Sequence, residues 1–242
     1  MTLGVRVGVE WVNNFPQESV DNCGTSNISW QNSLAAGFGN TMAEHGHALI
    51  FNWGEGNAWA TDFEHPDFGG DSLNWSDNVH FFYYADHGGD FGDNIFAIGL
   101  AARHNNCNSS SNLWRFGTKS MKWCVLDACD VVLNTDPNHI VAVWGPVMRG
   151  VHMIFGFVGN VATGSSNSGR GSGFANAAAD GRPLANTWLD NAYSVTSHPN
   201  VPIAIAAGVD RNDAINRREN ETLNFRDASI PAANWFAWKW RG

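Results

Sequence analysis

A histidine and a cysteine, each placed after a short apolar run, are the residues of this chain best suited to chemistry. His87 follows the run 79–85 and precedes two glycines, and Cys129 follows the run 121–126 and ends an Asp-Ala-Cys sequence. A thiol and an imidazole that meet can act as nucleophile and base. The two residues are 42 positions apart, an interval that leaves room for one crossover between two parallel strands.

The elements that must position these residues follow from the apolar pattern. Runs rich in aromatic and β-branched residues that end at Gly or Asp are typical of buried strands. Strands are predicted at 5–12, 48–53, 79–84, 123–127, 151–155 and 202–207, and helices at 30–43 (with Ser29 as cap), 137–149, 174–179 and 184–192. This alternation predicts one α/β domain over residues 1–242, an α/β/α sandwich with a mostly parallel six-stranded sheet. Reactive groups in such sheets lie at the carboxyl ends of the strands.

The two motifs together resemble the caspase-hemoglobinase clan of cysteine peptidases, and they are most similar to its clostripain-like members. The motifs are Asp86-His87-Gly88-Gly89 and Asp127-Ala128-Cys129. The resemblance covers residues 79–155 and implies a caspase-like fold, with Cys129 as nucleophile and His87 as general acid/base. It also implies that the N–H groups of Gly88 and Cys129 stabilise an oxyanion, and that Gly88 leaves room for the substrate. The function predicted in this way is that of a cysteine endopeptidase with a Cys-His dyad.

The same resemblance suggests a preference for cleavage after Arg or Lys. It places Asp127 in the primary specificity pocket, where a carboxylate can pair with a guanidinium group through two hydrogen bonds. The alternative is that Asp127 caps the following turn or bonds His87. Asn160 and Thr163 are candidate lining residues in the loop after the fifth predicted strand. Arg170, in the Gly-rich part of that loop, is either a self-cleavage site or part of an ordinary mobile loop, and the second interpretation is favoured.

Two other functions are open. A transpeptidase or a biosynthetic acyl-transfer enzyme would need the same nucleophile on the same fold. A catalytically silent caspase-like domain would instead bind protein or glycan through a tryptophan-rich surface. Tryptophans could line an apolar or sugar-binding cleft, although they more often cover a core or an interface. The candidates are Trp53, Trp59 and Trp75, near the second predicted strand, and Trp235, Trp238 and Trp240, near the C-terminus.

The amino-acid composition restricts the classes of binding partner that can be expected. The chain has 242 residues, with 14 basic and 23 acidic residues and a net charge of −9. An acidic surface argues against nucleic acid and anionic membranes as partners, and no apolar run reaches the roughly 20 residues of a membrane helix. The expected partner is a peptide or protein substrate, with the oligomeric state left open. The N-terminus shows no signal-peptide pattern, which favours a cytoplasmic location over a secreted protein whose leader has been removed.

No cofactor or metal is expected at the candidate site. Calcium is the alternative, because some clan members depend on it and oxygen-rich clusters suit this ion. The cluster in question consists of Asp62, Glu64, His65, Asp67 and Asp71. Its spacing fits no standard calcium loop, and a solvated acidic loop is the favoured interpretation. Cys124 is predicted to be a small buried residue, and the sequence leaves open whether Cys23 pairs with Cys107.

Overall fold

The computed structural model of the protein describes residues 4–15, 23–100, 107–193, 200–224 and 233–242. The strands are β1 (Arg6–Trp11), β2 (Ala48–Gly54), β3 (Phe81–Ala85), β4 (Gly88–Asp90), β5 (Phe96–Gly99), β6 (Asn108–Ser110), β7 (Trp123–Asp127), β8 (Met153–Phe157), β9 (Pro202–Gly208) and β10 (Trp235–Trp240). The helices are α1 (Gln31–Glu44), α2 (Pro137–Trp144), α3 (Arg170–Ala179), α4 (Leu184–Ala192) and α5 (Arg211–Asn220). All six predicted strands and all four predicted helices are present; β7 and α4 have the predicted ends, and the ends of the others are shifted.

A large sheet of seven strands organises the fold, in the order β10-β9-β8-β7-β3-β1-β2. The strands from β2 to β8 in this order run parallel, and β9 and β10 are antiparallel to their neighbours. The prediction of a mixed α/β fold with a mostly parallel sheet is therefore confirmed, but its count of six strands was one too low. The added strand, β10, has aromatic residues on both faces and lies at an edge, so no alternation of apolar and polar residues revealed it.

Both faces of the large sheet are covered. On one face, side chains such as Val9, Tyr83 and Val125 pack with α1, α3 and α4. On the other, Phe82 and Leu126 pack with α2 and with a small antiparallel sheet of β4, β5 and β6. Coverage on both faces explains why the central strands are apolar throughout their length instead of alternating.

Helix α1 is held at its start by the end of β1. The predicted cap, Ser29, was wrong, because Trp30 occupies the capping position and makes no side-chain bond there. The side-chain oxygen of Asn13 instead accepts hydrogen bonds from the backbone N–H groups of Gln31 and Asn32, at 3.0 and 3.3 Å. A residue just beyond β1 therefore satisfies N–H groups that every helix leaves unpaired in its first turn.

Helices α2, α3 and α5 differ from the prediction, whereas α4 has the predicted ends. Asp136 caps α2 through a 3.0 Å bond from the Asn138 N–H, as the Asp-Pro pair predicted, but the helix ends at Trp144 rather than Arg149. Helix α5 was not predicted, because its ten residues are strongly polar and bury only Ala214 and Arg217. The C-terminal part that was expected to pack on the sheet includes 225–232, which lie outside the described residues. None of the helices in the described ranges is long and apolar enough to cross a membrane.

Replacement of Asn13 tests the link between β1 and α1. Asn13→Ala should lower the free energy of unfolding by about 1 kcal/mol, the usual cost of a lost N-terminal cap. Asn13→Asp keeps an accepting oxygen and should cost much less. Urea denaturation followed by tryptophan fluorescence measures both changes. Equal losses for the two variants would contradict the capping role.

Candidate functional site

His87 lies two residues beyond the end of β3, where the chain enters β4, and its side chain is partly exposed. Its Nε2 lies 2.9 Å from the carbonyl oxygen of Ser26, and its ring centroid lies 5.6 Å from that of Phe15. A carbonyl oxygen only accepts hydrogen bonds, so in this contact Nε2 carries the proton and Nδ1 keeps the lone pair. Nδ1 is therefore the nitrogen that can act as a base.

Cys129 lies two residues beyond the end of β7, and its side chain is partly buried. Its Sγ accepts a hydrogen bond from the backbone N of Val161 at 3.4 Å and lies 3.9 Å from the carbonyl oxygen of the same residue. Val161 belongs to the loop 158–169 after β8. Asn160 and Thr163, the predicted lining residues, flank Val161 within two positions, so the structure places them beside the thiol's partner. Their contact with a substrate stays a prediction.

The segments that carry the two functional groups lie side by side. Ala85 pairs with Asp127 in parallel register, and the N–H of Asp86 donates to the carbonyl oxygen of Asp127 at 3.3 Å. In the described part of the chain, no hydrogen bond joins the thiol to the imidazole, because His87 bonds Ser26 and Cys129 bonds Val161. The structure therefore brings the two segments together without pairing the two groups.

Gly88 has a packing reason to be glycine. A Cβ at this position would lie 2.5 Å from the carbonyl oxygen of Cys129 and 2.8 Å from the Cβ of Ala128. Any larger residue would therefore push the cysteine segment away, whether or not a substrate is present. The predicted role of the Gly88 N–H in oxyanion binding stays a prediction.

The surroundings of Cys129 keep its thiol protonated. Partial burial raises the pKa of the Cys129 thiol, and the carboxylates of Asp130 and Asp127 raise it further, against the lowering effect of the Val161 N–H. Burial and the charge of Asp90 also raise the pKa of Asp130. Because only the thiolate is a strong nucleophile, this cysteine needs a base to react near neutral pH.

The substrate-pocket role predicted for Asp127 is not what the structure shows. Its carboxylate is fully buried. It accepts hydrogen bonds from Arg170 Nε at 2.8 Å, from a second Arg170 nitrogen, and from the Tyr83 hydroxyl at 2.6 Å. The two-point pairing expected with a substrate guanidinium is thus made within the protein. Asp127 neither caps a turn nor bonds His87.

Arg170 is likewise not the flexible loop residue that the sequence suggested. It is the first residue of α3 and is 4 % exposed, with its guanidinium 4.9 Å above the ring of Phe157. Its pairing with Asp127 offsets the desolvation of both groups, and a buried pair of this kind is strongly destabilised when one partner is removed. Self-cleavage after Arg170 would require this buried pair to open first.

A cavity of about 350 Å³ opens beside His87, and a disulfide forms part of its wall. Its lining comprises Cys23, Thr25, His87, Gly88, Gly89, Phe91, Ala97, Ile98, Gly99, Cys107 and Asn108. Cys23 and Cys107, whose pairing the sequence left open, are bonded to each other with their Cα atoms 5.4 Å apart. The disulfide joins the segment before α1 to the residue before β6, so it cross-links two walls of the cavity.

Asp86 and Tyr84 form a buried polar pair that sequence reasoning missed. The Tyr84 hydroxyl lies 3.1 Å from Asp86 Oδ2 and also bonds the carbonyl oxygen of Gly99. Burial raises the pKa of Asp86 well above its ordinary value. A neutral Asp86 would donate to Tyr84 while Tyr84 donates to Gly99, which gives every proton in the chain of bonds an acceptor. The pair supports the backbone from which His87 projects.

The acidic loop 62–71 is less solvated than expected. Asp62 and Glu64 are buried. Glu64 accepts a hydrogen bond from Ser109 at 3.2 Å, and Asp71 accepts one from the Trp75 indole at 3.0 Å. Among the residues that the structure describes, no group of three or more His, Cys, Asp or Glu side chains is arranged to hold a metal ion.

The fold and site define a mixed α/β protein with a cysteine and a histidine at neighbouring strand ends. The chain belongs to the DUF6345 family, a domain of unknown function, whose match covers residues 9–242. No curated protein matches the chain.

The raised pKa of Cys129 predicts the pH dependence of its alkylation. The rate of modification by iodoacetamide should rise through a midpoint above the ordinary thiol pKa of about 8.5, because the thiolate is the reacting form. Asp130→Asn should move the midpoint to lower pH, since it removes a nearby negative charge. Mass spectrometry of the modified protein at each pH gives the rates.

Cys124 serves as the internal control for this measurement. It is fully buried, and burial raises the pKa of its thiol far beyond the usual range. Cys124→Ala should therefore leave the profile unchanged, whereas Cys129→Ala should abolish labelling. A midpoint below that of a free thiol would contradict the environment described for Cys129.

Removal of one partner of the buried Asp127–Arg170 ion pair should destabilise the folded protein. Arg170→Ala leaves the Asp127 charge buried without a partner and should lower the free energy of unfolding by about 3–5 kcal/mol. The double variant Asp127→Asn with Arg170→Met leaves no charge unpaired and should lose less. Urea denaturation measures both. The control is Arg241→Ala, which breaks the exposed pair with Asp190 and should lower the free energy of unfolding by no more than about 1 kcal/mol. An equally small decrease for Arg170→Ala would contradict the structural role of the Asp127–Arg170 pair.

Proposed function

We propose that the protein is a cysteine endopeptidase of the caspase-hemoglobinase type, with Cys129 as nucleophile and His87 as general acid/base. The observation that carries the proposal is the close contact of Gly88 with the Cys129 backbone, at the carboxyl ends of two neighbouring parallel strands. The parallel core of the sheet, covered by helices on both faces, is compatible with a caspase-like sandwich of one strand more than expected. The cavity beside His87 would receive part of the substrate.

The first step of the proposed reaction is a proton transfer. His87 Nδ1 accepts the thiol proton, and Cys129 Sγ attacks the carbonyl carbon of the scissile peptide bond. For this the Cys129 side chain must turn away from Val161. Catalytic hydrogen bonds are often long or absent before the substrate binds, so the separate bonding of the two groups is compatible with this step.

The second step breaks the peptide bond. The carbonyl oxygen becomes an oxyanion, for which the N–H groups of Gly88 and Cys129 are the proposed donors, each worth about 3 kcal/mol. When the tetrahedral intermediate collapses, its C–N bond breaks and the leaving amine takes the proton from His87. Water then hydrolyses the thioester and restores the thiol. If an amine replaced water, the same site would act as a transpeptidase.

A preference for basic residues would depend on carboxylates other than Asp127. Asp130 follows the nucleophile directly, and the charge of Asp90 contributes to its raised pKa. Both retain solvent access, unlike Asp127. We therefore assign recognition of a substrate cation to Asp130 and Asp90.

The disulfide bond is relevant to the cellular compartment that we propose for the protein. Disulfides persist in oxidising compartments and are rare in the cytoplasm. The Cys23–Cys107 bond therefore supports a secreted or otherwise oxidising location, in place of the cytoplasm that the sequence favoured.

A catalytically silent binding domain is the second candidate. It is favoured by the protonated state of the Cys129 thiol and by its bond to Val161 rather than to His87. In that case the cavity beside His87 would bind a ligand without cleaving it.

Peptide cleavage separates these candidates. Fluorogenic peptides that differ only at the residue before the cleaved bond should be hydrolysed best after Arg or Lys. Activity should fall to background in Cys129→Ala and by about 10²–10⁴-fold in His87→Ala, the usual range for a general acid/base. Asp130→Asn should raise KM for the Arg peptide more than it lowers kcat.

The matched control is Cys124→Ala, which should retain full activity because that thiol is buried in the sheet. Cleavage that persists in Cys129→Ala would overturn the proposed nucleophile. No cleavage of any peptide, together with no labelling of Cys129 by a peptidyl ketone, would favour the silent binding domain.

A further inference from the structure

A second cavity, separate from the residues proposed for catalysis, is lined mainly by tryptophan. It lies where β2 ends and the chain passes through the loop that leads to β3, and its volume is about 400 Å³. The lining residues are Trp53, Asn57, Trp59, Asp62 and Trp75. The cavity thus combines three indoles with one amide and one carboxyl group, and no Lys or Arg is among its lining residues.

The indoles are held in place by the protein. The ring centroids of Trp53 and Trp75 are 4.3 Å apart at an angle of 58°, and Phe51 packs against both. The Trp59 indole N–H donates to the carbonyl oxygen of Gly56 at 2.8 Å, and that of Trp75 donates to Asp71 at 3.0 Å. These bonds fix the rings before a ligand arrives, so little entropy is lost on binding.

The same indole hydrogen bonds restrict the class of ligand that the cavity can bind. Two of the three indole N–H groups already have acceptors within the protein, so they are not donors for the hydroxyl groups of a sugar. The parts of the rings that line the cavity are what they offer to a ligand. An aromatic face carries a negative quadrupole and attracts cations, and tryptophan does so most strongly.

A carboxyl group that can become negatively charged lies beside the rings. Burial raises the pKa of Asp62 to about 7, with a further contribution from the charge of Asp71 and an opposing hydrogen bond from the Trp59 N–H. Glu10, which lies opposite Trp53 in the pairing of β1 with β2, is fully buried. Within the described residues neither of its carboxyl oxygens has a hydrogen-bond partner. Burial, and then the charge of Asp62, raises the pKa of Glu10. Among the described residues neither acid forms an ion pair, and a cationic ligand in the cavity would supply Asp62 with a positive partner.

We propose that this cavity binds an organic cation of the methylated ammonium class, with the charge against Trp53, Trp59 and Trp75 and paired with Asp62. A metal ion fits less well, because among the lining residues only Asp62 and Asn57 offer side-chain oxygens, whereas hard cations take six or more oxygen ligands. A methylated ammonium group is weakly hydrated, so aromatic faces can replace its water shell. This inference does not depend on the proposed peptidase activity.

The test compares two ligands of the same shape on the complete, unaltered protein. Choline carries the charge, and 3,3-dimethylbutan-1-ol is its neutral carbon isostere. Tryptophan fluorescence and titration calorimetry should show that choline binds at least tenfold more tightly than 3,3-dimethylbutan-1-ol. Binding should also release protons near pH 7, since a cation favours the ionised form of Asp62; Glu10 and Asp71 are the other acids that face this carboxyl group and can contribute.

Variants locate the site. Trp53→Leu and Asp62→Asn should each weaken choline binding at least tenfold, and Asp62→Asn should also reduce the proton release. The control is Trp235→Leu, which alters a tryptophan that is 49 % exposed on β10, at the opposite edge of the sheet. It should leave binding unchanged.

Three results would overturn the proposal. Equal affinity for choline and its isostere would mean a purely apolar cavity. Saturable binding of methyl glucoside without binding of choline would mean a carbohydrate site. No binding of choline at any soluble concentration would mean that the indoles serve only to cover the edge of the core. Since the ligand comparison uses the unaltered protein, none of these outcomes depends on whether a variant folds.

Discussion

The candidate peptidase site depends on the parallel ladder between β3 and β7. Phe81 lies opposite Trp123 and Ala85 lies opposite Asp127, so the two strands end at the same level and release His87 and Cys129 next to each other. A slip of one residue would turn every side chain of a strand to the opposite face. The two faces pack against different helices and loops, so a slipped strand would present to each face the side chains that fit the other.

The two acidic residues at the end of β7, Asp127 and Asp130, have different roles. Asp127 is occupied by Arg170 and Tyr83, and this pairing ties the start of α3 to the sheet. Because α3 follows the loop 158–169, the pair also helps to hold that loop beside the thiol. The neighbouring Asp130 keeps contact with solvent and raises the pKa of Cys129. Residues three positions apart thus have opposite roles, one internal to the fold and one at its surface.

The carboxyl edge of the sheet also concentrates buried acids. Burial raises the pKa values of Glu10, Asp62 and Asp86. The folded protein therefore retains protons that the unfolded chain releases, and the contribution of Asp62 to stability falls as pH rises from the ordinary carboxyl pKa toward about 7. Such groups are costly unless a ligand or function compensates for them. The proposed organic cation would compensate for Asp62, whereas Asp86 has Tyr84 as its partner.

The sequence by itself determined the α/β class, the parallel core and the placement of His87 and Cys129 at strand ends, because local apolar runs and turn residues depend on neighbours along the chain. It did not reveal β10 or α5, since an edge strand with aromatics on both faces and a strongly polar helix lack the expected periodicity. Only the tertiary structure decided that Asp127 pairs with Arg170, that Cys23 pairs with Cys107, and that three tryptophans surround one cavity. Each of these depends on distances between residues far apart in the chain, which no local pattern encodes.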